Sequence, residues 1–308
     1  MKRSSLLAAG AALAAGASAA LLGAGYAIYR TWFHRTAQPE VLTTDEWERT
    51  VPYGAQMHAD AAALAAAPYE PVQITADDGV PLAARCYHHA DDAPGGQSIT
   101  LGVKERYDCR AWAYWAYQHF GPDTPLFLMG VSMGAATVLL AAGLDLPPTV
   151  RGIMADCGYT SPREVIHQYL PRYLPGLPVG PVYAVGRLGT RLFGHFDPED
   201  ADCRAALAKA TVPVLLIHGE ADSFVPCAMG RENFDACAAP KRLVTIPGAG
   251  HAVAYYVDIP GYERAVTDFM RGCLSKETKQ GAAPPFFIFI FSFSKLPLGC
   301  TLPAMRVQ

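Results

Sequence analysis

The stretch Thr124–Leu144, TPLFLMGVSMGAATVLLAAGL, decides how the rest of the chain is read. It opens with the short apolar run Leu126–Met129, passes through Gly130-Val131-Ser132-Met133-Gly134, and continues into strong helix formers from Ala135. A strand, a sharp turn and a helix form the context in which G-x-S-x-G carries meaning. The turn lifts a serine hydroxyl above a sheet edge, and the glycines leave room where side chains would meet backbone. Amides at the start of the following helix point at that hydroxyl. Ser132 is therefore a candidate nucleophile; the alternative is a small residue in a tight turn.

Downstream, short unbroken apolar runs alternate with helical patterns. VRGIMADCG, VPVLLIHG and KRLVTIPG read as strands, and GYERAVTDFMRGCL reads as a terminal helix. Apolar strands separated by helices imply a mostly parallel sheet covered on both faces, an α/β fold. The connection between the second and third of these strands, which contains YLPRYLPGLPVGPVY, is about fifty residues long, far beyond an ordinary loop. It reads as a helical cap over residues 159–210. Upstream, EPVQITADDGVPLAARCYHH places two β-prone runs around Asp77-Asp78-Gly79, a hairpin signal. Tyr107, Ala111, Trp112, Trp115 and His119 recur at helical spacing within a helix from about Val103 to Phe120.

A serine hydroxyl is inert near neutral pH and needs a base, which in turn needs an acid to orient it. In this architecture the order along the chain is Ser, then Asp or Glu, then His. HGEADSFVP places Asp222 after one strand, and PGAGH places His251 after the next. Both lie where strands of a parallel sheet present their carboxyl ends to ligands. Asp156 and Glu220 are weaker candidates for the acid. His218 reads as a turn-stabilising residue. His88, His89, Asp91 and Asp92 lack ligand spacing and read as a solvated hairpin end. Of the eight cysteines none forms a CxxC pair, and they read as small buried apolar residues.

The chain has 308 residues, 51% of them hydrophobic, and a formal net charge of -3, which leaves no electrostatic footprint for nucleic acid. Ser4–Tyr29 carries no charge and follows Lys2 and Arg3. It is long enough for a transmembrane helix. A cleavable signal ending near Ala17-Ser18-Ala19 is the rival, but apolar sequence continues beyond it, so residues 1–35 read as a single-pass anchor outside the fold. The charges flanking the span are nearly tied, with a slight lean toward an extracytoplasmic catalytic domain. Residues 36–70 read as a connector, 71–275 as the catalytic domain and 276–308 as a tail. The tail segment PPFFIFIFSFSKLPLGC is too short to span a membrane as a helix. A strand added to a sheet, an aggregation-prone end and a misread gene end all accommodate it.

GVSMGAATVLLAAGLDLP, GIMADCGYTSP, VPVLLIHGEADSFVP and IPGAGH together resemble the α/β-hydrolase superfamily, most closely its bacterial membrane-anchored branch of serine aminopeptidase-like and esterase-like hydrolases. The resemblance covers roughly residues 70 to 275. It implies a serine hydrolase with Ser132 as nucleophile, Asp222 as acid and His251 as base, and a backbone amide of Met133 for the oxyanion. It implies an ester, thioester or amide substrate, small-molecule or peptide, and no cofactor or metal. The cap and Phe224-Val225-Pro226 are expected to shape the acyl pocket. Members of the superfamily carry two more parallel strands and a helix between the hairpin and the long helix, and the first of those strands leads to a second oxyanion amide. The stretch from His88 to Leu101 cannot hold them, since one crossover alone takes a dozen or more residues. The fold therefore reads as truncated across Ala93–Gly95. The hairpin is then left to pair with the Leu126–Met129 strand, and Gly95 or Gly96 to replace the amide. A non-catalytic or defective tethered protein is the alternative function.

Overall fold

The computed structural model describes residues 3–34, 52–66, 70–75, 79, 81–86, 98–274 and 286–290. In the main sheet β3 (Leu126–Val131) is flanked by β4 (Val150–Asp156), β5 (Val214–Gly219) and β6 (Lys241–Ile246) on one side and β7 (Phe286–Ile290) on the other, five strands among the described residues in the order β6-β5-β4-β3-β7. All four pairings are parallel. Alternate side chains along each strand point to opposite faces. Leu126, Leu128, Ile153, Ala155, Val214 and Leu216 pack into one core; Phe127, Met129, Met154, Leu215 and Ile217 pack into the other. Helices α3 (Glu105–Phe120), α4 (Met133–Ala141), α7 (Cys203–Leu207) and α8 (Cys227–Ala236) lie on the first face. Helices α2 (Gly54–Ala65), α9 (Ala254–Val257) and α10 (Ile259–Leu274) lie on the second. Burial on both faces is why these strands are continuously apolar rather than alternating. The edge strand β6 keeps Lys241 and Arg242 exposed, which blunts its open side.

The hairpin signal corresponds to β1 (Glu70–Thr75) and β2 (Pro81–Cys86), antiparallel from Glu70↔Cys86 to Thr75↔Pro81. The hairpin does not join the main sheet, contrary to the expectation that it would pair with β3. That place is taken by β7, in register from Leu126↔Phe286 to Gly130↔Ile290. A tail strand arriving after α10 can run parallel to β3, and the ladder it forms satisfies an edge that would otherwise expose amides and carbonyls. Ala93–Gly95, Gly96 and the residues His88, His89, Asp91 and Asp92 lie outside the described residues, as does the tail apart from β7.

Between β4 and β5 stand α5 (Pro162–Tyr173) and α6 (Val179–Gly189), followed by a π turn over Thr190–Gly194 and then α7. Ser161 caps α5 by accepting from the Glu164 amide at 3.2 Å, with Pro162 at the first turn. Asp202 caps α7 through the amides of Arg204 and Ala205.

Helix α1 (Arg3–Trp32) corrects the expectation of a membrane anchor apart from the fold. Among the described residues, no helix is long and apolar enough to cross a membrane. The C-terminal turns of α1 are docked on the cap. Tyr26 packs edge-on against Phe193 at 5.0 Å, Trp32 against Tyr173 at 5.0 Å, and neighbouring Phe33 against Phe196 at 5.5 Å. Gly25 and Gly189 let the backbones of α1 and α6 meet: a Cβ at Gly189 would fall 2.1 Å from the Gly25 carbonyl oxygen. The aromatic end of the apolar stretch thus packs against the cap.

Candidate active site

Ser132 sits between the end of β3 and the first turn of α4, with φ 56° and ψ -115°. That backbone is strained for a residue with a Cβ. It is held there by its amide, which donates to the Asp156 carbonyl at 2.8 Å, and by the helix that begins immediately after it. The glycine at 130 has a steric cause, since a Cβ there would stand 2.2 Å from the carbonyl carbon and oxygen of Gly134. Met133 opens α4, so its amide is among those that have no intrahelical acceptor.

The loops after β5 and β6 bring the other two residues to the serine. His251 Nε2 lies 2.8 Å from Ser132 Oγ, and His251 Nδ1 lies 2.7 Å from Asp222 Oδ2. Asp222 Oδ1 accepts from the amides of Phe224 at 2.8 Å and Val225 at 2.9 Å. Burial acts to raise the Asp222 pKa, but the neighbouring imidazoles and the Val225 amide outweigh it and hold the carboxyl at about 2. An ionised carboxylate can only accept, so Nδ1 of His251 carries the hydrogen. In the neutral ring Nε2 is then an acceptor, and the Ser132 hydroxyl donates to it.

The weaker acid candidates stand elsewhere. Glu220 is exposed and accepts from Thr245 Oγ1 at 2.7 Å. Asp156 is buried at the end of β4, where its Oδ2 accepts from Tyr262 at 3.1 Å and its Oδ1 has no hydrogen-bond partner among the described residues. Burial first of all pushes its pKa up to about 6, against the opposing pull of His218 and the Tyr262 hydrogen bond. His218 is buried beneath the acid loop. Its Nε2 donates to the Val225 carbonyl at 2.8 Å and stands 3.6 Å from Asp222 Oδ2, beyond hydrogen-bond reach. It braces the loop that carries Asp222.

Cys157, Asp222 and His251 each offer a ligand atom within 4.8 Å of one another, a spacing that a metal ion could bridge. The Asp222–His251 hydrogen bond already engages two of the three. Cys109, Cys157, Cys203, Cys227, Cys237 and Cys273 are buried or half-buried and none of them is in a disulfide.

Two aromatic residues extend the site. The Phe224 ring lies against His251, centroids 4.6 Å apart, and Tyr169 of α5 lies against Phe224 at 3.8 Å. Sequence reasoning included Phe224 in the pocket but missed Tyr169. Nothing in the periodicity of the cap says which of its faces meets the acid loop.

No protein-family model matches the chain. The chain resembles the esterase Pf2001 of Pyrococcus furiosus in structure, with a TM-score of 0.51 at 17% identity over 68% of this chain and 94% of that one. The fold is α/β-hydrolase-like. In sequence it is 25% identical over 183 residues to the uncharacterized protein YqkD of Bacillus subtilis (strain 168), 59% of this chain and 60% of that protein. It is 27% identical over 147 residues to the lysophosphatidylserine lipase ABHD12 of Danio rerio, 46% of this chain and 35% of that one. The chain therefore matches less than two thirds of the length of these relatives.

Proposed function

We propose that the chain is a serine hydrolase that cleaves an ester, thioester or amide through an acyl-enzyme. One observation carries the reading: a serine hydroxyl, an imidazole and a buried carboxylate joined at 2.8 and 2.7 Å on three separate loops at one rim of the sheet. Ser132 Oγ attacks the substrate carbonyl as His251 Nε2 takes its proton. Asp222 stays ionised and stabilises the imidazolium. The Met133 amide donates to the oxyanion, an interaction worth about 3 kcal/mol at the transition state. His251 returns the proton to the leaving group, and water then releases the acyl chain by the same steps in reverse. The name of the lipase among the relatives supports an acyl-ester substrate.

The second reading is a non-catalytic α/β-hydrolase-like protein. It is favoured by β7, a tail strand, occupying the flank of β3 where relatives are expected to carry the strand that leads to a second oxyanion donor. A fluorophosphonate probe separates the two. The hydrolase reading expects covalent labelling of the wild type and none of Ser132→Ala, with ester turnover lower by at least about 10³-fold in that variant. An unlabelled, folded wild type rejects it.

A further inference from the structure

The cap places one polar group at this site that the mechanism above does not use. Tyr169 is 4% exposed, and its hydroxyl has no hydrogen-bond partner among the described residues. A buried hydroxyl without a partner is costly and is uncommon in folded proteins. Its surroundings explain why it is retained. Tyr169 stands on α5 one ring away from the base, with Phe224 between it and His251. The same helix is tied to the acid loop by Arg172, which donates to the Ser223 carbonyl at 3.0 Å. Burial foremost, with Asp222 and Cys157 adding to it, raises the Tyr169 pKa, so the group is a neutral phenol able to donate.

The side of the site on which it stands follows from proton transfer. His251 Nε2 must reach the departing heteroatom, so the leaving group lies along the imidazole, away from the oxyanion amide of Met133. Phe224 covers that ring, and Tyr169 covers Phe224. We infer that the Tyr169 hydroxyl donates a hydrogen bond to the leaving-group half of the substrate and selects leaving groups that carry an acceptor near the scissile bond. This rests on the serine hydrolase reading and deepens it. It moves Phe224 and the α5 face from the acyl pocket, where sequence analysis placed them, to the leaving-group pocket. A leaving group with hydroxyl or carbonyl oxygens would satisfy the phenol, whereas a plain alkyl alcohol would leave it unpaired in the closed site. Sites built to hydrogen-bond a substrate discriminate against analogues that lack the group.

The test uses the full chain, a fixed acyl group, and two leaving groups, glycerol and propanol. The wild type is expected to favour the glyceryl ester over the propyl ester by about tenfold in kcat/KM. In Tyr169→Phe, which removes a single oxygen, that ratio is expected to fall to about one. Thermal melting supplies the second readout. If the hydroxyl has no structural partner, Tyr169→Phe melts at or above the wild-type temperature. Loss of the ratio together with unchanged or raised melting supports the inference. A ratio that survives the substitution, a wild type indifferent to the leaving group, or a variant that melts several degrees lower overturns it and leaves the hydrolase reading standing. A wild type without Ser132-dependent turnover overturns both.

Discussion

Ser132 stands between two flanks of the sheet that are assembled in different ways. On one side β4, β5 and β6 follow each other at intervals along the chain, and the loops after β5 and β6 deliver Asp222 and His251. On the other side the supports come from far apart in sequence. β7 pairs with β3 along the strand that leads to Ser132, from Leu126↔Phe286 to Gly130↔Ile290. The end of α1 is likewise held by residues far away in sequence, on the cap and at residues 98–99, where the Ile99 amide donates to the Phe33 carbonyl at 2.8 Å and Tyr29 meets Ser98 at 2.8 Å. The hydrogen-bonded Ser132, His251 and Asp222 thus come from one run of strand-and-loop units, while their bracing depends on contacts that close very long loops. Closure entropy grows slowly with length, so the extra entropic cost of such contacts is modest.

Removing the chain after Lys276 is the strongest way to break the distant flank. It takes away β7 and leaves the β3 edge without its ladder. At about 0.5–1.5 kcal/mol per lost hydrogen bond, the ladder as a whole contributes several kcal/mol. The expected outcome is a urea midpoint far below that of the full chain, with ester turnover falling in parallel because Ser132 follows directly on β3. The same midpoint in the shortened chain would mean that β7 does not hold this flank, and the two sides would then differ less than their pairing suggests.

The contrast also explains what could be read before any coordinates. That Ser132, Asp222 and His251 would meet was legible because each follows an apolar strand and obeys a fixed chain order, and the residues around Gly130 reveal the turn through a steric need. The parallel sheet was legible from β3 through β6 for the same reason. The pairing partner of β3 was not, since an apolar five-residue run such as Phe286–Ile290 specifies a strand but not a neighbour. Neither was the docking of α1. A charge-free stretch of Ala, Leu and Gly satisfies a bilayer and a protein groove equally well by composition. The close approach of Gly25 to Gly189 that seats α1 on the cap is a feature no local pattern reports. Tyr169 escaped because a cap helix shows which residues are apolar, not which of them meets a distant loop.

Within the contiguous flank, two carboxyls at neighbouring strand ends are shifted in opposite directions. Asp222 is held at about 2 and Asp156 is pushed up to about 6. The sign is opposite for the two. A depressed pKa adds stability above the unfolded value near 4, and that stability is lost as pH falls toward 2. A raised pKa adds stability at low pH, and that is lost as pH climbs from about 4 through 6. Asp156→Asn fixes the neutral form. It is expected to flatten the decline between pH 4 and 6 and, above pH 6, to be more stable than the wild type by about 3 kcal/mol. Denaturant titrations across that range measure it. Parallel pH profiles for the two proteins would place the decline in another group and remove the contrast between the carboxyls.

The smallest effect sharpens the distant flank. At Gly189 a Cβ would meet backbone atoms of Gly25 at 2.1 Å for the carbonyl oxygen and 2.7 Å for the carbonyl carbon, neither of which can rotate away. Gly189→Ala therefore has to push α1 off α6, which uncovers Tyr29 and Phe33 and opens the apolar seam lined by Ile28, Trp32, Leu170 and Tyr183. Overpacking of this kind costs about 1–3 kcal/mol. Limited proteolysis should cut near α1 sooner than in the wild type. Fluorophosphonate labelling of Ser132 should persist, because the contact that Gly189→Ala disturbs is that of α1 with α6 and not with the loops that carry Ser132, Asp222 and His251. Gly180→Ala is the matched control on the same helix: no atom lies within 4 Å of its added Cβ, so exchanging glycine for a better helix former there should leave α1 docked. If Gly189→Ala abolishes labelling while Gly180→Ala does not, the bracing of α1 on the cap reaches Ser132 itself.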